Sequence, residues 1–203
     1  MIWILIIISF FSGSIPWAIL LGKATKSPPL STIGDGNPGA TNLWKAKGWK
    51  IGLITVFLEI SKGFLPIYLI ITFSELNLHD IEKILISLMP IFGHGFSPFL
   101  KFKGGKSLAV TWGAWIGLTN GLALPIGCIY LLTMHSIQKH HAWTVLISLI
   151  AMLITFTYIF AQIFMFTAMT LNILFIIFKH KNEFSENIVL RNWIKKTKII
   201  KLK

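Results

Sequence analysis

The chain has 203 residues, enough for one domain and too few for a large multidomain machine. Apolar residues make up 54% and charged residues 13%, against about 45–50% and about 25% in soluble domains, so a soluble globular protein is excluded and a membrane protein is indicated. Lys and Arg total 19 and Asp and Glu 7, a formal charge of +12, which with this apolar bulk suits a cytoplasmic membrane face meeting anionic lipid and substrates better than nucleic acid.

A spanning helix needs ~20 apolar residues, and five tracts offer them. Met1 to Gly22 is uncharged and lacks the basic start and cleavage pattern of a signal peptide, so a retained first span is expected. Ile51 to Phe73 is interrupted by Glu59 and Lys62, whose spacing places them on one helix face where they can neutralise each other. Ile84 to Leu100 is short, and Pro90 and Gly93 predict that its later part is loop. Ser107 to Gln138 would run about 48 Å as one helix, too long for a core of about 30 Å, and Thr119, Asn120 and Gly121 supply a turn to divide it. Ala142 to Phe178 would run about 56 Å and must also fold back, although no glycine or proline marks the place. Cys128, the single cysteine, lies in an apolar stretch and reads as lipid-buried packing.

Lysine-bearing loops stay in the cytoplasm. The segment from Lys23 to Lys50, the loop from Lys101 to Lys106 and the lysine-rich tail after Phe178 therefore belong on one side, while Ser74 to Lys83, with Glu75, Asp80 and Glu82, suits the other. The expected fold is an all-α integral membrane bundle of about seven transmembrane helices, or five or six if the long tracts stay undivided. Its amino terminus lies outside and its carboxyl terminus is cytoplasmic, with residues 1–203 as a single polytopic domain.

The glycines concentrate where the charge is. Gly34 to Asn42 is a tight backbone path whose N–H groups can converge as an anion nest, followed by a helix-like Leu43 to Gly48. Lys101, Phe102, Lys103, Gly104, Gly105, Lys106 and Ser107 lead into a helix, so the two glycines would let a phosphate approach the free N–H groups at its start. Each loop has a plainer alternative, a flexible connector or an interfacial lysine binding headgroups. A P-loop is disfavoured, since its pattern needs glycine where Leu100 stands and no strand precedes it. The histidine spacings show no metal signature. His140 and His141 read as an interfacial loop, His94 as a residue that orients the second loop, touches substrate or makes a structural hydrogen bond, and His180 as a helix C-cap or a site residue. No histidine has an aspartate five positions later, which excludes the His-x4-Asp type of acyltransferase.

Gly13-Ser14-Ile15-Pro16, Leu20 to Lys23 and Gly34-Asp35-Gly36-Asn37-Pro38-Gly39-Ala40-Thr41-Asn42 form one block, and Gly93-His94 with Phe99 to Lys106 a second. In these blocks the chain resembles the PlsY-type acyl-phosphate:glycerol-3-phosphate acyltransferases of bacterial inner membranes, over nearly its whole length. The resemblance implies a seven-helix, multi-pass enzyme of the plasma membrane that moves a fatty acyl group from acyl phosphate to the 1-hydroxyl of glycerol 3-phosphate, giving lysophosphatidate and phosphate, the first step of phospholipid synthesis. It implies no cofactor and no metal. The implied partners are the two substrates and membrane lipid, with a homodimer left open and no nucleic acid.

Carried onto this sequence, the catalytic candidates are Lys106, His180, Asn187 and Asp35. The substrate-binding candidates are Asn37, Gly39, Thr41, Asn42, Lys45, His94, Lys101, Lys103, Gly104 and Gly105. The family pattern has serine at Asp35, arginine at Lys45, glycine at Ser107 and threonine near Val110. It has asparagine three residues after its last histidine, where this chain has Glu183, with Glu186-Asn187-Ile188 further on. A paralogue using another phosphorylated acceptor, a non-catalytic binder of phosphorylated ligands, and a transporter with Glu59 and Lys62 along its path are the competing readings.

Overall fold

A computed structural model describes residues 1–73, 76–185 and 187–193; Glu75, Glu186 and the tail lysines from Lys195 onward lie outside the described residues. Among those described, regular structure is helical apart from one isolated antiparallel bridge, Gln138 to Leu190. The chain falls into two compact units, Met1–Leu122 and Ala123–Lys203.

The first unit holds α1 (Ile2–Ser14), α2 (Trp17–Ala24), α3 (Ala40–Phe73), α4 (Asp80–Gly95) and α5 (Leu108–Leu118). The first tract is not one straight span, as the sequence suggests, but a pair of helices bent by 41°. Pro16 causes the break, because it has no N–H to donate and its ring displaces the carbonyl one turn earlier. The backbone groups released there find side chains from other elements. Lys62 Nζ donates to the Ile15 carbonyl at 2.6 Å, the Ala18 N–H donates to Glu59 Oε1 at 3.2 Å, and Ser97 Oγ donates to the Ser14 carbonyl at 2.6 Å. In α3 Pro66 releases the Lys62 carbonyl, and Ser12 Oγ of α1 donates to it at 2.8 Å. Within a membrane such groups have no water to turn to, so these contacts decide whether a break is tolerated.

Contrary to expectation, α4 continues through Pro90 and Gly93 to Gly95. Glycines seat it against α1: a Cβ on Gly13 would lie 2.0 Å from the Pro90 carbonyl oxygen, and one on Gly93 would lie 2.1 Å from that of Phe10. The α3–α5 contact is built the same way, since a Cβ on Gly113 would lie 1.9 Å from the Ile60 oxygen and one on Gly63 2.4 Å from the Val110 oxygen. Small residues of this kind let membrane helices pack backbone against backbone. The division of the fourth tract is borne out, with Asn120 at φ 48° and Gly121 at φ 93° after α5.

The second unit holds α6 (Ala123–Ile137), α7 (His141–Phe160) and α8 (Ile163–Lys179). The fifth tract folds back as expected, at Ala161, which takes φ 49°. A non-glycine residue fills the left-handed position, so composition gave no sign of the turn. The α6–α7 turn is tied by buried Gln138, whose amide nitrogen donates to the His140 carbonyl at 2.6 Å and whose oxygen accepts the His140 N–H at 2.6 Å. The chain after α8 returns to this turn: Lys139 N–H donates to the Val189 carbonyl, Arg191 N–H to that of Ile137, and Trp193 Nε1 to that of Ser136, each at 2.9 Å.

Polarity is inverted relative to a soluble bundle. Ile4, Ile7, Ile8, Phe57, Leu69, Ile154 and Tyr158 face outward, while Ser9, Thr55, Glu59, Lys62 and Ser87 are buried. Bilayer supplies the apolar surroundings in a membrane protein, so outward apolar and inward polar faces are the stable arrangement. Three stretches, Ala40–Phe73, Asp80–Leu100 and His141–Phe160, are long and apolar enough to cross a membrane, and the bent α1–α2 pair would make a fourth. Helices α5, α6 and α8 are apolar but shorter.

Candidate active site

Two loops of the first unit meet. The first follows α2 and is anchored by the buried side chains of Leu30 and Leu43 on Ala18 of α2. Between these anchors Gly34 and Gly36 take φ 59° and 71°, left-handed values that permit the sharp path. This path wraps Asp35. Its carboxylate accepts from the Asn37 N–H at 3.2 Å and from Asn42 Nδ2 at 2.8 Å, and Asn42 Nδ2 also donates to the Asn37 carbonyl at 3.0 Å. Lys45 Nζ lies alongside, 3.0 Å from where a Cβ on Gly34 would stand. The helical turn expected from Leu43 to Gly48 is present within α3, which begins at Ala40 and is interrupted at Gly48 with φ 80°.

The second loop leaves α4 at Gly95 and places Lys101 and Phe102 at φ 52° and 61° before it reaches Gly104. A Cβ on Gly104 would lie 1.9 Å from the His94 carbonyl oxygen, and one on Gly105 2.4 Å from His94 Nε2. Close packing on the last turn of α4 therefore requires both glycines, a requirement separate from any approach by phosphate. Ser107 ends the loop at φ 62°, its hydroxyl donating to the Ile91 carbonyl at 2.9 Å, and α5 begins at the next residue.

Lys106 joins the loops. Its ammonium lies 2.5 Å from Asp35 Oδ2. Burial alone would raise the Asp35 pKa, but hydrogen bonds from Lys106, Asn42 and the Asn37 backbone, with the Lys106 charge, outweigh it and bring the value down to about 2. The carboxylate that would repel a phosphate is thus paired, and it occupies donors that a phosphate would use.

Beneath the loops lies a buried polar cluster that sequence reasoning only half found. Glu59 and Lys62 pair at 2.7 Å, as their spacing implies, but Glu59 also lies 3.2 Å from His94 Nδ1. Their exposures are 1%, 4% and 9% for Glu59, Lys62 and His94. The legible signal was the presence of ionisable residues inside an apolar tract. Their three-element destination was not legible. Beside the α1–α2 break an apolar groove of about 310 Å³ is lined by Ile15, Pro16, Ile19, Leu20, Phe99 and Leu100, with Lys23 also on its wall.

A model of the family described as glycerol-3-phosphate acyltransferase matches residues 3–189. The chain belongs to this family. It is 43% identical over 116 residues to glycerol-3-phosphate acyltransferase 1 of Thermotoga maritima, spanning 57% of each chain. With the glycerol-3-phosphate acyltransferase of Fusobacterium nucleatum subsp. nucleatum it is 28% identical over 180 residues, covering 89% of this chain and 91% of the relative. The solved structure of PlsY, an integral membrane glycerol 3-phosphate acyltransferase in its glycerol 3-phosphate form, has the same fold, with a TM-score of 0.81 at 23% identity over 91% of this chain and 90% of that one.

In this family member the structure gathers Asp35, Asn37, Gly39, Asn42, Lys45, His94, Gly104, Gly105 and Lys106 around the two loops. Thr41, Lys101 and Lys103 sit at exposed positions. His180 and Asn187 belong to the second unit. There His180 is the C-cap of α8, buried, with Nδ1 3.0 Å from Glu183 Oε2, while Asn187 is exposed beyond the helix.

Proposed function

We propose that this acyltransferase moves a fatty acyl group from acyl phosphate to the 1-hydroxyl of glycerol 3-phosphate. The observation that carries the reading is the meeting of two glycine loops through Lys106, Asp35 and Asn42. Such a set of ammonium, amide and backbone donors can take the place of water around a phosphate. The acceptor hydroxyl attacks the carbonyl carbon of the mixed anhydride, the carbon–oxygen bond to phosphate breaks, and phosphate leaves with both bonding electrons. Because the donor is already activated, the protein's share is orientation and stabilisation of charge on the departing phosphate. Lys106 and Lys45 supply charge, and Asn37, Gly39, Thr41, Asn42, Gly104 and Gly105 shape the cradle. Lys101 and Lys103 draw anionic substrate to it, and a substrate phosphate or a nearby polar group takes the hydroxyl proton. The groove beside the α1–α2 break suits the acyl chain, being apolar and open at the helix surface.

The same reading has seven spans, counting α1 with α2 as one, in a bacterial inner membrane. The amino terminus is outside, and segments 23–50, 93–107 and 179–203 are cytoplasmic. The lysines of these segments support that orientation, as does the pairing of Val189 and Arg191 with the α6–α7 turn, which seven spans place on the same side as the tail.

Purified protein in lipid, given palmitoyl phosphate, is expected to release phosphate only when glycerol 3-phosphate is added, with lysophosphatidate detected by mass. Release without dependence on the acceptor, or no release, would sink this reading. One variant of it is a paralogue acting on a different phosphorylated acceptor, since the Asp35 carboxylate departs from the pattern that the resemblance implies. Turnover with another phosphorylated polyol in place of glycerol 3-phosphate would select that variant.

A further inference from the structure

The buried acid of α3 is connected to more than the helix break. One Glu59 oxygen is 2.7 Å from Lys62 Nζ and 3.2 Å from His94 Nδ1, and the other accepts the Ala18 N–H. Glu59 Oε2 is buried, has no hydrogen bond of good geometry and can only accept, so its charge favours a proton on the ring nitrogen that faces it, and in that neutral form Nε2 is the acceptor. Nε2 faces the second glycine loop: the point where a Cβ on Gly105 would stand is 2.4 Å from it and 3.2 Å from Asn37 Oδ1. The Gly105 N–H donates to the His94 carbonyl at 3.2 Å, and the next residue is Lys106. A continuous path thus runs from the Glu59–Lys62 pair through His94 and Gly105 to the Lys106–Asp35 junction.

We propose that Glu59 is a positioning residue for acyl transfer: its carboxylate selects the Nδ1–H form of His94, fixing the ring that braces Gly105 and so the place where Lys106 meets the donor phosphate. This rests on the acyltransferase reading above. Lys62 balances the acid's charge while donating to the Ile15 carbonyl, so one buried pair holds both the α1–α2 break and the floor of the second loop. An orientation set from behind in this way is what a site needs when its chemistry is mostly positioning.

The test is a double-mutant cycle in the full chain, reconstituted in lipid. Glu59→Gln with Lys62→Met removes both charges at nearly constant volume and still offers Ala18 an acceptor. With the amide oxygen kept on the Ala18 N–H, the new NH₂ faces His94 Nδ1, so the Nδ1–H form is disfavoured and the Nε2–H form favoured. This pair of substitutions is expected to raise KM for palmitoyl phosphate about tenfold, with kcat changed less than about twofold. In a His94→Gln background, where only the loss of the Lys62 contact to the Ile15 carbonyl remains, it is expected to raise KM by a clearly smaller factor, about threefold or less. Equal fold-changes in the two backgrounds, or an unchanged KM in the parent, would overturn the proposal. Should the neutral pair fail to fold, Glu59→Asp, which keeps the charge but withdraws the oxygen from His94, is read through the same cycle with the same criterion. If the parent protein shows no turnover, the acyltransferase reading fails, and nitrogen-15 histidine spectra then decide the positioning claim. The signal lost in His94→Gln should show the Nδ1–H form in the parent and a shift toward the Nε2–H form in the neutral pair; an identical signal in both would refute the claim.

Discussion

Asp35 shows how one residue changes a site without changing its frame. The carboxylate engages Lys106 Nζ, Asn42 Nδ2 and the Asn37 N–H, and a serine in its place, which the resemblance implies for this position, would leave these donors to an anionic ligand. Asp35→Ser is therefore expected to lower KM for acyl phosphate, by about threefold or more, since a charge-assisted competitor is removed. Steady-state phosphate release checks it, and a raised KM would show that the acid assists binding. Lys106→Ala removes a side chain that bridges the two loops and is expected to abolish detectable turnover; unchanged turnover would remove the second loop from the site. The pH dependence has a definite sign. The Asp35 pKa in the fold is about 2, below its ordinary 3.8, so its stabilising contribution is complete above about pH 4 and is lost as pH falls toward 2. Asp35→Asn should thus remove any difference in loop protection from hydrogen exchange between pH 5 and pH 3 that the parent shows and that arises from this pair.

At the scale of elements, helices here meet where glycine lets backbone touch backbone. Gly113 is the clearest case, because a Cβ there would stand 1.9 Å from the Ile60 carbonyl oxygen, and backbone cannot move aside as a flexible side chain can. Gly113→Ala is expected to push α5 away from α3 and to lower stability by about 1–3 kcal/mol, read as a fall in Tm in detergent. An unchanged Tm would mean that the two helices are not held by this contact. The prolines make the complementary point. Pro16 leaves backbone groups that Lys62, Glu59 and Ser97 engage, and Pro66 leaves one that Ser12 engages. Pro90, by contrast, does not end α4, because the helix is seated by Gly13 and Gly93 against α1. Proline is a reliable mark of a missing hydrogen bond, but the neighbours decide whether a helix bends, breaks or continues.

For the whole molecule, orientation is the property most open to test. With Cys128→Ser as background, Lys103→Cys and Lys47→Cys should react with a membrane-impermeant thiol reagent only when the cytoplasmic face is opened, and Leu76→Cys only from outside. Reaction of Lys103→Cys from outside would reverse the topology. Composition and local pattern carry the features that consecutive residues encode. Apolar tracts and lysine asymmetry indicated a helical membrane protein, Asn120-Gly121 marked a turn, and the two glycine loops pointed to phosphate chemistry and to the family, because each signal resides in a few consecutive residues. Tertiary structure alone decided the break at Pro16, the continuation of α4 and the turn at Ala161, where neighbours from other elements or an unmarked left-handed residue settle the backbone. It alone also brought Asp35 to Lys106 and Glu59 to His94. These contacts join residues far apart in the chain, and only the packing of the helices that carry them specifies their distance.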